Sequence, residues 1–515
     1  MTNATIGSLA DIIRVHGAGR SSHPCLIEGD VSYTWGEMYE RAQRVANGLK
    51  AAGVGPHDRV VFLEKNSIEH FELAFGAALL NAVSVDVNWR LAAPEVEYIV
   101  NDAEAKVLVV GQEFVSIMEA IADKLTTVTT ILVIGGHPKY ADWNEWLLSQ
   151  KIGDPGAQQS LEDVSFQLYS SGTTGTPKGI IHSHGMRWHQ MAGGFKSIYS
   201  HDTRSLVSTP LYSNTTLAVF LPTICHGGFA RIMEKFDALA YLGHAQTDKT
   251  THTMLVPVQY QRLLAHADFG NYDLSSFIVK FCTSAPFAAE LKAGVLKRWP
   301  GGLVEIYGMT EGGVVCMLQA HHHPHKLHTV GQPVTGHELI VLDEDDNRLP
   351  AGSKGVLTGR SPTMMSGYKN QPEKTREMEW RDADGNVWLK TGDIGIVDED
   401  GFVSIVGRAK DMIISGGFNI YPKDLEELLE QQPEVAEAAV VGMPSEAWGE
   451  TPVGFVRLRD DAALPEDILL RVNNQLGKTQ RISVLYPIDE MPRSHIGKLL
   501  KTDLRALAAE KRIGR

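Results

Sequence analysis

The chain has 515 residues, of which 43% are hydrophobic and 21% charged, with a formal net charge of −14. This excludes a disordered chain and a single small domain, and suits roughly three domain-sized units. The acidic excess disfavours non-specific binding to nucleic acid or an anionic membrane, so any polyanionic ligand must be met by local positive charge.

Near the start, MTNATIGSLADIIRVHG carries no basic segment followed by an apolar core, so no signal peptide is expected. RVVFLE at 59–64 reads as a strand, followed by a helix over 67–81. The most apolar stretch, 71–87, contains Glu72, Asn81 and Asp86 and reads as a helix leading into a strand, not a membrane span. KVLVVG at 106–111, a helix over 113–123 and TTILVIG at 129–135 continue the alternation. Such alternation predicts an α/β fold with largely parallel sheets. After about residue 330, GHELIVLDEDDNRLPAG, GVLTGR and GFVSIVGR suggest a β-rich subdomain of short strands and turns. Beyond Arg408 comes an α+β tail, with a helix at 424–432 and a strand at 437–443. A boundary near 407–410 divides the chain into domains 1–407 and 408–515. Cys25, Cys225, Cys282 and Cys316 lie far apart, without metal spacing or a disulfide framework, and are expected to be reduced in a cytoplasmic protein.

The densest chemical signal is YSSGTTGTPKG at 169–179. Gly172, Gly175 and Gly179 let backbone N–H groups approach an anion. Ser170, Ser171, Thr173 and Thr174 add hydroxyl donors, and Lys178 adds a mobile charge. Flanking apolar runs argue against a flexible linker. The spacing is not that of the nucleotide P-loop, and β-branched Ile180 and Ile181 follow, so this is a phosphate-holding loop between two strands.

Further stretches accompany it. IYGMTEGG at 306–313 offers Tyr307 to stack on a base, Thr310 to bond a phosphate and Glu311 to hold Mg²⁺. TGD at 391–393 places Asp393 beside a turn, where it can accept two ribose hydroxyls. GRAKDMIISGGFNIYPKDLEE begins at Gly407, and PRSHIGKLLKTDLR contains Lys498. HHHPH at 321–325 reads as a loop, not a metal site.

In this order and spacing the motifs resemble the AMP-forming acyl-CoA synthetases of the adenylate-forming superfamily, from about residue 30 to the end. The resemblance implies a large N-terminal domain of layered sheets and helices and a small mobile C-terminal lid. It also implies a two-step reaction with ATP, Mg²⁺ and coenzyme A. By this likeness, Ser170 through Lys178 hold the β- and γ-phosphates, and Ser284, Ala285 and Pro286 lie along adenine, with Tyr307 on the base. Thr310 contacts the α-phosphate, Glu311 ligates Mg²⁺, and Asp393 binds ribose with help from Arg408. Lys498 bridges carboxylate and α-phosphate, and Lys410 is the hinge. Gly416 and Gly417 line the pantetheine tunnel, and Trp448 stacks on the CoA adenine or simply covers the small domain.

The acyl group is expected among Gly193, Ser213, Asn214, Thr215, Cys282, Gly308, Gly312 and Gly313, with Ser213 where relatives often carry His. These small side chains suggest volume for a bulky aromatic or arylpropenoic acid, with a medium-to-long fatty acid second, unless neighbours such as Trp188 fill the space. Asn214 and Thr215 are expected to bond an oxygen of that acid. Two other functions compete: an amino-acid or aryl-acid adenylation protein without CoA ligation, and an inactive nucleotide-binding protein. No acid that would hold an ammonium group occurs in YSNTTL at 212–217, which disfavours amino acids. Retention of Lys178, Glu311, Asp393 and Lys498 together disfavours an inactive protein. A homodimer is left open.

Overall fold

A computed structural model describes residues 7–170, 176–192, 198–415, 418–446, 448–459, 464–477, 480–494 and 497–513. The chain divides into two compact units. The first comprises Met1–Leu327, Pro333–Glu338 and Arg360–Leu389; the second comprises His328–Gln332, Leu339–Gly359 and Lys390–Arg515.

The first unit is built on two large sheets. The eight-stranded one runs in the order Gly367–Tyr368, Lys178–Ser183, Val164–Ser170, Val83–Asp86, Arg59–Leu63, Ala105–Gly111, Thr130–Ile134 and Ala141–Asp142. Its inner strands are parallel, as the alternation of apolar runs and helices predicts. Val83–Asp86 is buried along its whole length. The other sheet is nine-stranded and carries six parallel strands side by side. These are Pro24–Glu28, Phe229–Ile232, Arg204–Val207, His252–Leu255, Val279–Cys282 and Gly302–Gly308.

The helix expected over 67–81 is Ile68–Leu79, and its almost continuous apolar sequence is explained by burial of all but one residue. With helices Trp35–Ala51 and Asn214–Cys225 it contributes Trp35, Phe71, Phe75 and Phe220 to one core, which also takes Phe166 from the first sheet. Helix Trp35–Ala51 starts at a capping box: the Thr34 hydroxyl accepts from the Glu37 amide, and the Glu37 carboxylate accepts from the Thr34 amide at 2.8 Å. The helix expected over 113–123 is broken into two 3₁₀ turns around Val115–Ile121.

Strand Val387–Val397, whose residues from Lys390 onward belong to the second unit, pairs antiparallel with Val403–Arg408, Asp393 facing Arg408. A five-stranded sheet follows, with Gly449–Leu458 at its centre, Val435–Ser445 along one edge and helix Pro422–Glu430 against it. The TGD stretch lies inside strand Val387–Val397 and is not a turn. Gly392 there has φ +72°, so a local kink in a continuous strand produces the turn-like sequence.

All four cysteines are buried, and none of them is in a disulfide. Residues 321–325 form turns, and among the described residues no cluster of His, Cys, Asp and Glu could hold a metal ion. Among the described residues no helix is long and apolar enough to cross a membrane.

Candidate active site

The Gly/Ser/Thr motif falls between antiparallel strands, as its flanking residues predict. Ser170 pairs with Lys178 and Tyr169 with Gly179, so strands Val164–Ser170 and Lys178–Ser183 run antiparallel on either side of the motif. Ser171, Gly172, Thr173, Thr174 and Gly175 lie outside the described residues. Gly179 is glycine for packing: a Cβ there would come within 2.9–3.1 Å of Gln167, Tyr169 and Lys369. That closeness lets the next segment pair along the strand, with the Lys369 amide donating to the Gly179 carbonyl at 2.7 Å.

This pairing places a residue that the motifs did not single out. Tyr368 lies opposite Ile180, its ring 4.8 Å from Lys178 Nζ. The Tyr368 hydroxyl donates to Glu311 Oε1 at 2.8 Å. Burial first, then the neighbouring Glu311 charge, pushes its ionisation far above the ordinary tyrosine value, so it remains a donor. The Glu311 carbonyl accepts from the Met365 amide at 2.8 Å. One tyrosine therefore spans the phosphate-loop lysine and the candidate Mg²⁺ carboxylate. Glu311 keeps Oε2 for a cation, and one carboxylate plus substrate phosphates is an ordinary Mg²⁺ environment.

Two parallel strands supply the neighbouring pieces. Val279–Cys282 pairs with Gly302–Gly308, Cys282 beside Glu305. Their carboxyl ends present Ser284, Ala285 and Pro286 on one side and Tyr307, Gly308 and Thr310 on the other, where α/β sheets commonly bind ligands. Ser284 has φ +78°, unusual for a residue with a side chain, and its hydroxyl shares a short hydrogen bond with Thr215. Thr283 holds the turn to the next strand by donating to the Ile306 carbonyl at 2.6 Å. Below Tyr307, Glu305 forms a buried ion pair with Lys292, and burial raises its pKa to about 7.

Around the expected acyl group the geometry differs from the sequence reading. Gly193 lies outside the described residues. Ser213 caps helix Asn214–Cys225, accepting from the Thr215 amide at 3.3 Å. Gly312 and Gly313 both have positive φ. A Cβ on Gly312 would sit 1.9 Å from the Thr363 carbonyl oxygen, and one on Gly308 would sit 3.2 Å from that of Val314. These two glycines make room for backbone and do not by themselves leave ligand volume. Trp188 is half-buried against the inter-sheet core. Asn214 Oδ1 accepts from Arg187 at 2.7 Å, and the Thr215 hydroxyl is engaged with Ser284.

Arg187 itself was not singled out from the sequence. It is 1% exposed, on helix His184–Ala192. One terminal nitrogen donates to Gln190 and Asn214, both at 2.7 Å, and the guanidinium carbon lies 5.1 Å from the centre of the Phe166 ring. Its Nε and other terminal nitrogen have no acceptor. Each such buried, unpaired donor costs about 1–3 kcal/mol. Burial lowers its pKa to about 9, an effect opposed by the attraction of Asp86. Five residues earlier, on strand Lys178–Ser183, His182 Nε2 donates to the Thr310 carbonyl at 2.7 Å, and Nδ1 has no partner. Burial, then the Arg187 charge, holds His182 neutral.

The remaining candidates belong to the second unit. Asp393 is buried, and Arg408 Nε lies 2.7 Å from its Oδ1. Lys410 sits in the 3₁₀ turn Ala409–Asp411, anchored by Arg505 to Asp411 at 2.8 Å. Gly416 and Gly417 lie outside the described residues. Trp448 is half-buried before strand Gly449–Leu458. Lys498 is exposed, in a tight segment where the Ser494 amide donates to the Lys498 carbonyl at 2.7 Å.

The model of the AMP-binding enzyme family matches residues 13–369, and that of the AMP-binding enzyme C-terminal domain matches 424–498. The chain is 33% identical over 512 residues to a feruloyl-CoA synthase of an Amycolatopsis species, covering 98% of this chain and 99% of the other. It is 31% identical over 485 residues to a long-chain-fatty-acid–CoA ligase of Mycobacterium tuberculosis, covering 92% and 93%. Among solved structures it resembles an anthranilate CoA ligase in complex with anthranoyl-AMP, with a TM-score of 0.85, 28% identity and 98% coverage of each chain.

Proposed function

We propose a division of labour for this chain from one premise: it belongs to the AMP-binding enzyme family. It is an acid–thiol ligase, an AMP-forming acyl-CoA synthetase with ATP and CoA as co-substrates. In the first half-reaction a carboxylate oxygen bonds to the α-phosphorus of ATP and the α–β bridging bond breaks, giving acyl-adenylate and pyrophosphate. In the second, the CoA sulfur bonds to the acyl carbon, AMP leaves, and the thiol proton is released.

Ser170, the loop 171–175 and Lys178 hold the β- and γ-phosphates; Ser284, Ala285, Pro286 and Tyr307 hold adenine. Thr310 positions the α-phosphate. Glu311 holds Mg²⁺, which neutralises phosphate oxygens when bound. Asp393 takes the ribose hydroxyls with Arg408 orienting it, and Lys498 offsets the repulsion between carboxylate and α-phosphate. Segment 408–515 is the lid, with Lys410 as its hinge, and Gly416, Gly417 and Trp448 meet CoA. The observation carrying the reading is the Lys178–Tyr368–Glu311 cluster. It brings a cation and a carboxylate, from sequence motifs over 130 residues apart, to a single tyrosine. A phosphate–Mg²⁺ site needs both signs together.

The acid is bulky, aromatic or arylpropenoic, in line with the feruloyl-CoA synthase relative; a medium-to-long fatty acid, in line with the fatty-acid ligase relative, is second. The test is pyrophosphate exchange and CoA-dependent AMP release across acetate, fatty, benzoic and cinnamic acids. Exchange without CoA-dependent AMP release would favour an adenylation protein, and neither would favour an inactive nucleotide binder. Preference for acetate over every ring-containing acid would overturn the substrate assignment.

A further inference from the structure

We propose that Arg187 is a specificity-determining residue of the acyl site, its unpaired N–H edge taking an uncharged, hydrogen-bond-accepting oxygen carried on the body of the acid. The inference rests on the acid–CoA ligase reading above and narrows its substrate class to acids with a hydroxyl, ether or keto oxygen away from the reacting carboxylate.

Three observations carry it. Arg187 is buried, and the two nitrogens without an acceptor, Nε and the second terminal nitrogen, form the fork edge that guanidinium groups use to grip oxygen. A buried donor pair of this kind is completed by a partner from outside the chain. Its surroundings are those of the expected acyl group: it donates to Asn214, beside Ser213 and Thr215. Thr215 in turn bonds Ser284, and His182 on the preceding strand holds the Thr310 carbonyl. Asn214 and Thr215, the polar groups that the sequence offers to the acid, have their oxygen atoms already engaged by protein, and the fully buried donor edge left without an acceptor beside them is that of Arg187. The charge is also accounted for. Asp86, buried with its Oδ1 3.2 Å from His70 Nδ1, attracts Arg187 without an ion pair between the two. With that counter-charge near, a neutral oxygen suits the free edge better than a second carboxylate, which would leave net negative charge buried.

The experiment measures kcat/KM for matched acids: cinnamic acid against its 4-hydroxy and 3-methoxy derivatives and a 4-carboxy derivative, and decanoic acid against its ω-hydroxy derivative. The unmodified enzyme should favour an oxygenated member at least tenfold over its parent and disfavour the carboxy derivative. In Arg187→Met the ratio should fall towards one, and in Arg187→Lys, which keeps a donor but not the fork, it should be intermediate. Thermal unfolding of both variants separates loss of selectivity from loss of fold; if the methionine variant does not fold, the unmodified and lysine enzymes decide. Ratios within twofold of one for every pair in the unmodified enzyme, or equal losses on parent and derivative in Arg187→Met, would overturn the proposal and assign the free edge to internal water. Absence of CoA-dependent AMP release with every acid would instead remove the ligase reading, and this inference with it.

Discussion

Replacing Tyr368 by Phe removes one atom from the cluster that joins the two halves of the phosphate site. The ring that faces Lys178 at 4.8 Å stays; the hydroxyl that donates to Glu311 at 2.8 Å goes. Hydrogen bonds to a charged group contribute about 1.5–3 kcal/mol, so the adenylation step should slow by about 10- to 150-fold. The carboxylate loses its restraint, so the Mg²⁺ concentration for half-maximal rate should rise. Pyrophosphate exchange at saturating acid, titrated with Mg²⁺, reads both quantities. The same hydroxyl also lies 2.7 Å from Met378 Sδ, so unfolding must be measured alongside. The decisive comparison is a double-mutant cycle with Glu311→Gln. If Tyr368 acts by holding Glu311, its substitution should cost much less once Glu311 is altered. Full additivity, or an unchanged exchange rate in Tyr368→Phe, would refute the reasoning.

Lys498→Ala should cost adenylate formation about 3 kcal/mol or more while largely sparing thioester formation from a supplied acyl-adenylate; equal loss in both half-reactions would reject the role given to Lys498. Gly312→Ala forces a side chain into φ +83° and against the Thr363 carbonyl, and should destabilise the protein by about 3 kcal/mol in urea unfolding; an unchanged midpoint would contradict the packing account. Burial lowers the pKa of His252 to about 4, so its contribution to stability is complete above the unfolded value and is lost as pH falls from about 6.5 towards 4. His252→Gln should therefore flatten the pH dependence of unfolding free energy by about 1.4 kcal/mol per pH unit within that window, and an unaltered slope would show that the ring titrates normally.

The sequence shows what is local and periodic. Strand and helix positions between 59 and 135 follow from apolar runs and their spacing, and the antiparallel strand pair around residues 170–178 follows from a loop motif bounded by β-branched residues. What it hides is pairing across long separations. Strand Pro24–Glu28 lies beside Phe229–Ile232, and Tyr368 lies beside Ile180, through backbone hydrogen bonds that carry no residue code. Tyr368 stands in SGYKN, which reads as a turn, so only the folded sheet shows it between Lys178 and Glu311. Arg187 was hidden by the opposite error: a charged residue on a short helix is ordinarily solvated, and its burial depends on Phe166 and Asn214, each about 20 or more residues away. The glycines of 308–313 were legible as glycines, but not as glycines required by the backbone at 363 and 314.

The four buried thiols leave thiol chemistry to the co-substrate. Burial drives the ionisation of Cys25 and Cys282 far above the normal thiol range and that of Cys316 to about 12, so the nucleophilic thiolate form of these three is scarce at neutral pH. A ligase that binds CoA at every turnover thus presents little thiolate to exchange with any oxidised CoA, and mixed disulfides should not accumulate on the folded protein. The cysteines become reactive when the fold opens, which makes a thiol-selective dye a direct reporter of how often, and where, these sheets come apart.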